Sequence, residues 1–396
     1  MDFSLTEEHL ELQKWAHEFA EKEIRPVAAQ YDESEEFPWP VLKKAADAGL
    51  YGLDIYLQTQ QDPTGMTFMI LQEEIFWGCA GIGLALFGTG LPLSALASVG
   101  TPEQLFEWAP KFFGTPEDPK CAAFGVTEPQ AGSDVRSLRT RAVRDGDEWV
   151  LNGTKVFITN GGVADHFVIV ATVDPELGHR GQASFVIAKE DGGIRAGKKE
   201  KKLGIRASDT SEVILEDCRI PVDRVLGGID RLENKLEKAR KGESSGKSSA
   251  ALRTFEVTRP AVGIQAVGIA RAALEFSIEY AKERVAFGVP IAQHQSIQNH
   301  LADMAMEVEA ARLLCHKAAW MAASGQPFTK AEGSMSKLKA GEMCVSVTEK
   351  AVQILGGYGY IKDFPVEKWY RDSKIYTLFE GTSEIQRMVI ARSLTA

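Results

Sequence analysis

One carboxylate is set apart from the others in the chain by its neighbours. Glu380 stands between an apolar pair and a glycine in the run Leu378-Phe379-Glu380-Gly381-Thr382-Ser383-Glu384-Ile385-Gln386-Arg387. Partial desolvation by Leu378 and Phe379 would raise its pKa and make it a stronger base when ionised. Ser383 opens a Ser-x-x-Gln pattern with Glu384 in the first turn, the signature of a capped helix start. The unpaired N–H groups and positive dipole end of such a helix suit phosphate or another anion. Taken alone, a solvated loop glutamate before an ordinary cap is the plainer reading of these residues.

Three other stretches have compositions that could serve a ligand. Val126-Thr127-Glu128-Pro129-Gln130-Ala131-Gly132-Ser133-Asp134 joins a strand to a polar turn. Its hydroxyls and backbone N–H groups could hold the polar edge of a planar heterocycle, or form a plain β-turn. Arg284 with Phe287-Gly288 pairs a cation with an aromatic ring and a hinge, which suits diphosphate recognition. Gln353-Ile354-Leu355-Gly356-Gly357 ends a helix in two glycines that permit close backbone approach. Other chemistries lack their residues. His294 and His300 are six apart and share no helix face, so two-histidine metal spacing is missing and no metal is expected. His316 beside Cys315 reads as a structural core histidine. No Gly-x-Ser-x-Gly, Walker loop or strand-borne Gly-x-Gly-x-x-Gly occurs, and Gly81-x-Gly83 lies in a helical region.

The elements that must position these residues follow from periodicity. The chain has 396 residues, 44% hydrophobic and 25% charged, enough for two or three globular domains. Residues 1–120 read as an all-α block, with helices opened at Thr6, Pro38 and Pro102. Residues 121–228 alternate with a period of two, and Asp145-Gly146 and Asn152-Gly153 read as turns, so an antiparallel β-barrel domain is expected. Residues 229–250 form a charged and polar insertion, read as a solvated surface segment or else as a lid or docking loop. Residues 251–396 carry long helical stripes through Val267–Ala281, Ile297–Met321 and Met335–Leu355, the pattern of a bundle core. The fold class is therefore α+β multidomain.

Composition limits partners and setting. A net charge of −10 argues against a general nucleic-acid binder. Five scattered cysteines without a Cys-x-x-Cys pair form no disulfide framework or zinc site and fit a reducing cytoplasm. The acidic, polar start Met1-Asp2-Phe3-Ser4 is unlike a signal peptide. The apolar stretch Ala80–Val99 is broken by Gly81, Gly83, Gly88, Gly90 and Pro92 and reads as buried helix and loop, so no membrane span is expected.

The stretches together resemble one family. Phe124-Gly-Val-Thr-Glu-Pro-x-Ala-Gly-Ser-Asp134, Asn152-Gly-Thr-Lys-x-Phe-Ile-Thr-Asn160, Lys202-Leu-Gly-Ile-Arg-x-Ser208, Arg284-x-x-Phe-Gly288 with His294-Gln295, Leu301-Ala-Asp-Met304, Gln353-x-x-Gly-Gly-x-Gly359 and Glu380-Gly-Thr-x-Glu-Ile-Gln-Arg387 are similar to the acyl-CoA dehydrogenases in order and spacing. The resemblance implies an N-terminal α-helical domain, a middle β-barrel and a C-terminal four-helix bundle. It implies bound FAD, oxidation of an acyl-CoA to the trans-2-enoyl-CoA, assembly as a homotetramer, and electron delivery to an electron-transfer flavoprotein. Glu380 then matches the base for the α-proton, with the β-hydride passing to flavin N5. The backbone N–H of Glu380 and a ribityl hydroxyl would polarise the thioester carbonyl.

Further roles carry over by matching position. Phe124, Val126, Thr127, Gly132, Ser133, Phe157, Ile158 and Thr159 would line the isoalloxazine. Arg284, Phe287, His294 and Gln295, with Gln353, Gly356 and Gly357, would come from a neighbouring subunit to the adenine-diphosphate part. Thr382 and Glu384 would close over the cofactor, and Ser133, Glu256, Arg259 and Gly381 would contact substrate. The chain departs from the pattern in three places. Phe157 stands where many members have Trp, Thr258 where isovaleryl- and long-chain-specific members place their base, and the insertion lies just before the CoA segment. Residues do not decide between dehydrogenase and oxidase, nor do they give the acyl length. A catalytically silent relative and a nitroalkane oxidase are disfavoured by Glu380.

Overall fold

The computed structural model describes residues 4–243 and 250–395, with 250–257 described by their backbone. Eight helices come first: α1 Glu7–Phe19, α2 Ala28–Ser34, α3 Trp39–Asp47, α4 Leu53–Gln61, α5 Met66–Gly78, α6 Ala80–Phe87, α7 Gly90–Val99 and α8 Pro102–Phe113. The start signals in the sequence act as expected. Thr6 Oγ1 accepts from His9 N at 3.2 Å, capping α1. At α8, Pro102 occupies the first turn, and Thr101 and Gln104 exchange side-chain-to-backbone bonds at 3.0 and 3.2 Å in a reciprocal cap. The same Gln104 also bonds Asp223 O, Val225 O and Gly227 N at 2.9 Å each, joining α8 to the segment leaving the sheet.

Seven strands follow: β1 Ala122–Gly125, β2 Arg141–Asp145, β3 Glu148–Thr159, β4 His166–Thr172, β5 Gln182–Ala188, β6 Ile194–Lys199 and β7 Thr210–Pro221. They form one curled sheet in the order β1-β4-β2-β3-β7-β6, with β5 also on β4. The sheet is mixed where an antiparallel one was expected, because β1 and β2 both run parallel to β4. Alternation reports which residues face inward and is blind to the direction of a neighbour. Asp145-Gly146 does turn a hairpin, β2 to β3. Asn152-Gly153 does not turn; it lies inside β3 at a bulge opposite β7. A side chain at Gly153 would meet Thr140 Oγ1 at 2.5 Å, so close strand approach demands glycine there.

The insertion begins with helix α9, Ile229–Arg240. Composition suggested a solvated segment, and the structure corrects this. Leu232 and Leu236 are buried in the core of the β domain together with Trp149 and Phe185. Their spacing of four puts both on one helix face, and the charges between them mask that face in an average over composition. Arg240 pairs with Asp174 at 2.8 Å, and Arg144 with Glu233 at 3.0 Å, at the rim. The polar tract at 244–249 and the side chain of Glu256 lie outside the described residues.

The last third holds α10 Ala250–Glu283, a short hairpin of β8 Val285–Ala286 and β9 Val289–Pro290, α11 Gln295–Ala323, α12 Glu332–Leu355, α13 Val366–Ser373 and α14 Ser383–Leu394. Helices α10, α11 and α12 pack on one another, α14 packs on α12, and α10 also packs on α5 and α7. The first and last thirds therefore share one large core. Ion pairs cross it: Arg271 on α10 meets Glu73 at 3.0 Å, and Arg312 on α11 meets the same carboxylate at 2.9 Å. The stretches Ala80–Val99 and Thr258–Glu283 are long and apolar enough to span a bilayer, but both are mostly buried inside this core.

Candidate active site

The Glu380 turn sits where α10, α12 and α14 meet. Glu380 has φ +55° and Gly381 φ +94°, so the backbone passes through the left-handed region twice. For a glutamate that conformation costs about 1–2 kcal/mol, and it persists only where surrounding contacts fix it. Several contacts do. Thr258 on α10 donates to Glu380 Oε2 at 2.8 Å. Gln386 Nε2 donates to the carbonyls of Glu380 and Gly381 at 3.1 and 3.0 Å. Lys337 Nζ on α12 donates to Gly381 O at 2.7 Å.

The helix start differs from the sequence reading. Thr382, not Ser383, is the N-cap of α14, and its hydroxyl accepts from Ile385 N at 3.4 Å. Ser383 is the first helical residue and is buried. With Thr382 as the N-cap, Gln386 falls one residue past the capping-box position and turns back to the two carbonyls of the strained turn.

The electrostatics favour a base of unusual strength. Burial pushes the Glu380 carboxyl up to about 7, against the Thr258 hydrogen bond and the charges of Arg259 and Lys337, which lower it. Its Oε1 accepts no hydrogen bond among the described residues, so one oxygen is held and the other is open. Arg259 is buried and donates to Ser334 Oγ at 3.0 Å, and its charge acts on the base. Thr258, at the position where some relatives place their base, stands beside Glu380 as its hydrogen-bond donor.

A second group lies on the sheet. Val156 N donates to Thr127 O at 2.9 Å, bringing the turn after β1 alongside Phe157, Ile158 and Thr159. A bulge in β3 between Lys155 and Ile158 gives Phe157 φ +59° and leaves it 65% exposed. Gly132 and Ser133 are exposed, whereas Phe124 and Val126 are buried against the shared core. An ion pair missed in the sequence fixes this turn. Lys155 Nζ meets Glu128 Oε1 at 2.7 Å and donates to Val126 O at 2.9 Å, both side chains being buried. Glu128 also accepts from Arg139 N and Thr140 N at 2.7 and 2.9 Å. Burial would raise the Glu128 carboxyl; Lys155 and these donors outweigh it and hold it at about 2.

A third group lies at the other end of α10. Arg284 is exposed and stands 5.5 Å from the Tyr358 ring centre. With Gly356, Gly357 and Ile361 it lines a cavity of about 450 Å³. Gly356 takes φ +60°, and side-chain positions at both glycines face open space. Phe287 is 95% exposed at φ +54° and packs edge-on to His294, whose Nε2 donates to Ala286 O at 3.1 Å. Gln295 and Gln353 are exposed at the adjoining ends of α11 and α12. At about 1.5 Å per residue, Thr258 and Glu283 lie roughly 38 Å apart along α10. The first and third groups therefore stand far apart on one chain.

The donor sets nevertheless fit FAD in two halves. The exposed Phe157 face and the Val126–Thr127 turn suit a flat ring with a polar edge. The Arg284 guanidinium above a glycine-opened helix end suits a diphosphate.

Comparison with known proteins agrees with this geometry. Three family profiles match in order: "Acyl-CoA dehydrogenase, N-terminal domain" over residues 6–114, the middle domain over 123–218, and the C-terminal domain over 248–395. Helix α9 lies between the second and third matches. The chain is 41% identical to the short-chain specific acyl-CoA dehydrogenase, mitochondrial, of Bos taurus over 394 residues, covering 98% of this chain and 90% of that one. It is 41% identical to the acryloyl-CoA reductase (NADH) of Anaerotignum propionicum, over 100% of this chain and 96% of the other. The butyryl-CoA dehydrogenase structure from Megasphaera elsdenii superposes with a TM-score of 0.89 at 34% identity, covering both chains fully.

Proposed function

The chain belongs to the acyl-CoA dehydrogenase family of FAD-dependent oxidoreductases, and we propose that it desaturates a short acyl-CoA thioester with Glu380 as the base. The single observation that carries this is a carboxylate with one oxygen held by Thr258, the other open, and a pKa raised by burial to about 7. The α-proton of a thioester is too weakly acidic for an ordinary carboxylate in water. Glu380 narrows that gap from the base side. Its backbone N–H narrows it from the acid side by donating to the thioester carbonyl as charge develops there. Exclusion of water at the junction of α10, α12 and α14 strengthens both effects. FAD, when bound, supplies the acceptor for the β-hydride.

The remaining contacts follow from the three groups. Phe157 and the Val126–Thr127 turn orient the flavin ring, and the buried Lys155–Glu128 pair keeps that turn in place. Ser133 is exposed beside it, where a pantetheine chain can reach. Arg284, Gly356 and Gly357 take the diphosphate of a cofactor seated in a second copy, so the working protein is a homo-oligomer, in our reading a tetramer. Short chains are supported by the names of the relatives. Electrons leave to an electron-transfer flavoprotein.

Anaerobic mixing of the holoenzyme with butyryl-CoA is expected to bleach the flavin, with slow recovery in air. Bleaching should be lost in Glu380→Gln with FAD retained. Full bleaching by that variant would end the assignment of Glu380, and rapid recovery in air would favour an oxidase.

A further inference from the structure

We propose that Lys337 and Gln386 are positioning residues for the base, pinning the Glu380–Gly381 turn so that it keeps its left-handed backbone and presents the carboxylate beside Thr258. The inference rests on the reading of Glu380 as the base and assigns two side chains that the reaction itself does not use.

Both residues are held in ways that fold stability alone does not explain. Lys337 is 1% exposed, yet its ammonium makes one direct hydrogen bond among the described residues, to Gly381 O. Burying an ammonium against a single neutral carbonyl is unfavourable. Burial pushes it down to about 8, against the attraction of Glu380; Arg259 lowers it further, and Glu384 and Glu342 raise it. Gln386 is 0% exposed and gives its amide nitrogen to both carbonyls of the turn, while its Oε1 is buried with no partner. An orphaned acceptor is tolerated because rotating the amide would set oxygen against two carbonyls. A side chain on residue 381 would lie 2.6 Å from Gln386 Nε2 and would push that amide off the turn, and φ +94° itself favours glycine there.

The two pins do different work. Gln386 fixes the peptide plane after Glu380, so that plane cannot flip and carry the carboxylate away from Thr258. Lys337 adds charge. Among the described residues, the groups facing the Glu380 carboxylate are Thr258 and Arg259 from α10 and Lys337 from α12. Of these, Arg259 and Lys337 are cationic, and their field keeps the buried base ionisable near neutral pH. Loss of Lys337 therefore disturbs both geometry and ionisation, whereas loss of Gln386 disturbs geometry alone.

The test has an arm without substrate and an arm with it. In the holoenzyme without substrate, Lys337→Met and Gln386→Leu are expected to speed amide hydrogen exchange across residues 378–386 by about tenfold, with the far half of α14 unchanged. With butyryl-CoA, both variants should lower the plateau bleaching rate by about tenfold or more, with FAD content and KM unchanged. Lys337→Met should also move the acidic limb of the rate profile to higher pH by about one unit, and Gln386→Leu should not. Lys337→Gln, which keeps a donor but no charge and is the milder change, should shift the limb while preserving most of the protection. Unchanged exchange in the turn, or a limb unmoved in both Lys337 variants, would overturn the proposal. If the unsubstituted protein fails to bleach, the functional reading fails, and the exchange arm still judges the two pins.

Discussion

The two ends of α10 are built on opposite principles. At the Thr258 end, Arg259, Lys337 and Gln386 are buried, and hydrogen bonds from Thr258, Lys337 and Gln386 hold the Glu380–Gly381 turn. At the Glu283 end, Arg284, Phe287 and Tyr360 stand open to solvent. The first end is complete within one chain. Its charges act in a low dielectric, where small displacements change a pKa by a unit or more. The second end has binding groups exposed to solvent without an enclosing wall, on the side where the proposed second copy would sit. Chemistry is thus kept where geometry is fixed by one chain's own core, and assembly is kept where surfaces remain unmatched.

Substitutions can break or sharpen this contrast. The largest effect is expected from Glu380→Gln, with a fall in bleaching rate on the order of 10³-fold in stopped-flow absorbance. Arg284→Gln should leave the rate per bound flavin unchanged; a comparable fall there would erase the distinction between the ends. Next is Lys155→Met, which strands the buried Glu128 carboxylate and should cost about 3–5 kcal/mol in denaturant unfolding, with FAD lost.

Glu380→Gln should also stabilise the fold at pH 8, by at most about 3 kcal/mol. The sign follows from a folded-state pKa raised from 4.5 to about 7. Stability from such a group is full below pH 4.5 and is lost as pH rises through 7, so the variant should gain over that window and match the parent below it. The same ionisation predicts a bleaching rate that falls as pH drops through about 7, read from a pH–rate profile. Arg284→Gln should weaken FAD retention by about 10–100-fold, measured by flavin release on dilution. Phe287→Ala should be the smallest, within about 0.5 kcal/mol of the parent in monomer stability, with any loss seen in oligomer mass by light scattering.

Much of this architecture was legible in the sequence because it depends on local patterns. The stripe from Ile297 to Met321 gave α11, and the glycine pair after Leu355 gave the end of α12. Glu380, Arg284 and the Thr127–Ser133 turn stand out by residue type, but alone they read as ordinary loop and turn residues; their roles came from the family resemblance. Features set by distant partners were not legible. The parallel pairing of β1 with β4 joins residues 44 apart, Ala122 and His166, and leaves no mark on alternation. Lys155 and Lys337 look like solvated lysines until a carboxylate or a carbonyl from another element is brought to them. The apolar face of α9 was hidden by its charges, and the direction of Gln386 depended on a strained turn that no spacing announces.

Gln104 carries a consequence for motion. Its amide closes the cap of α8 and at the same time holds the carbonyls of Asp223 and Val225 and the N–H of Gly227. Fraying of the first turn of α8 and loosening of the segment that leaves the sheet are therefore a single event. A swing of the β domain relative to the first helices would strain the cap of α8 together with the apolar contacts of α7 and α8 on the sheet.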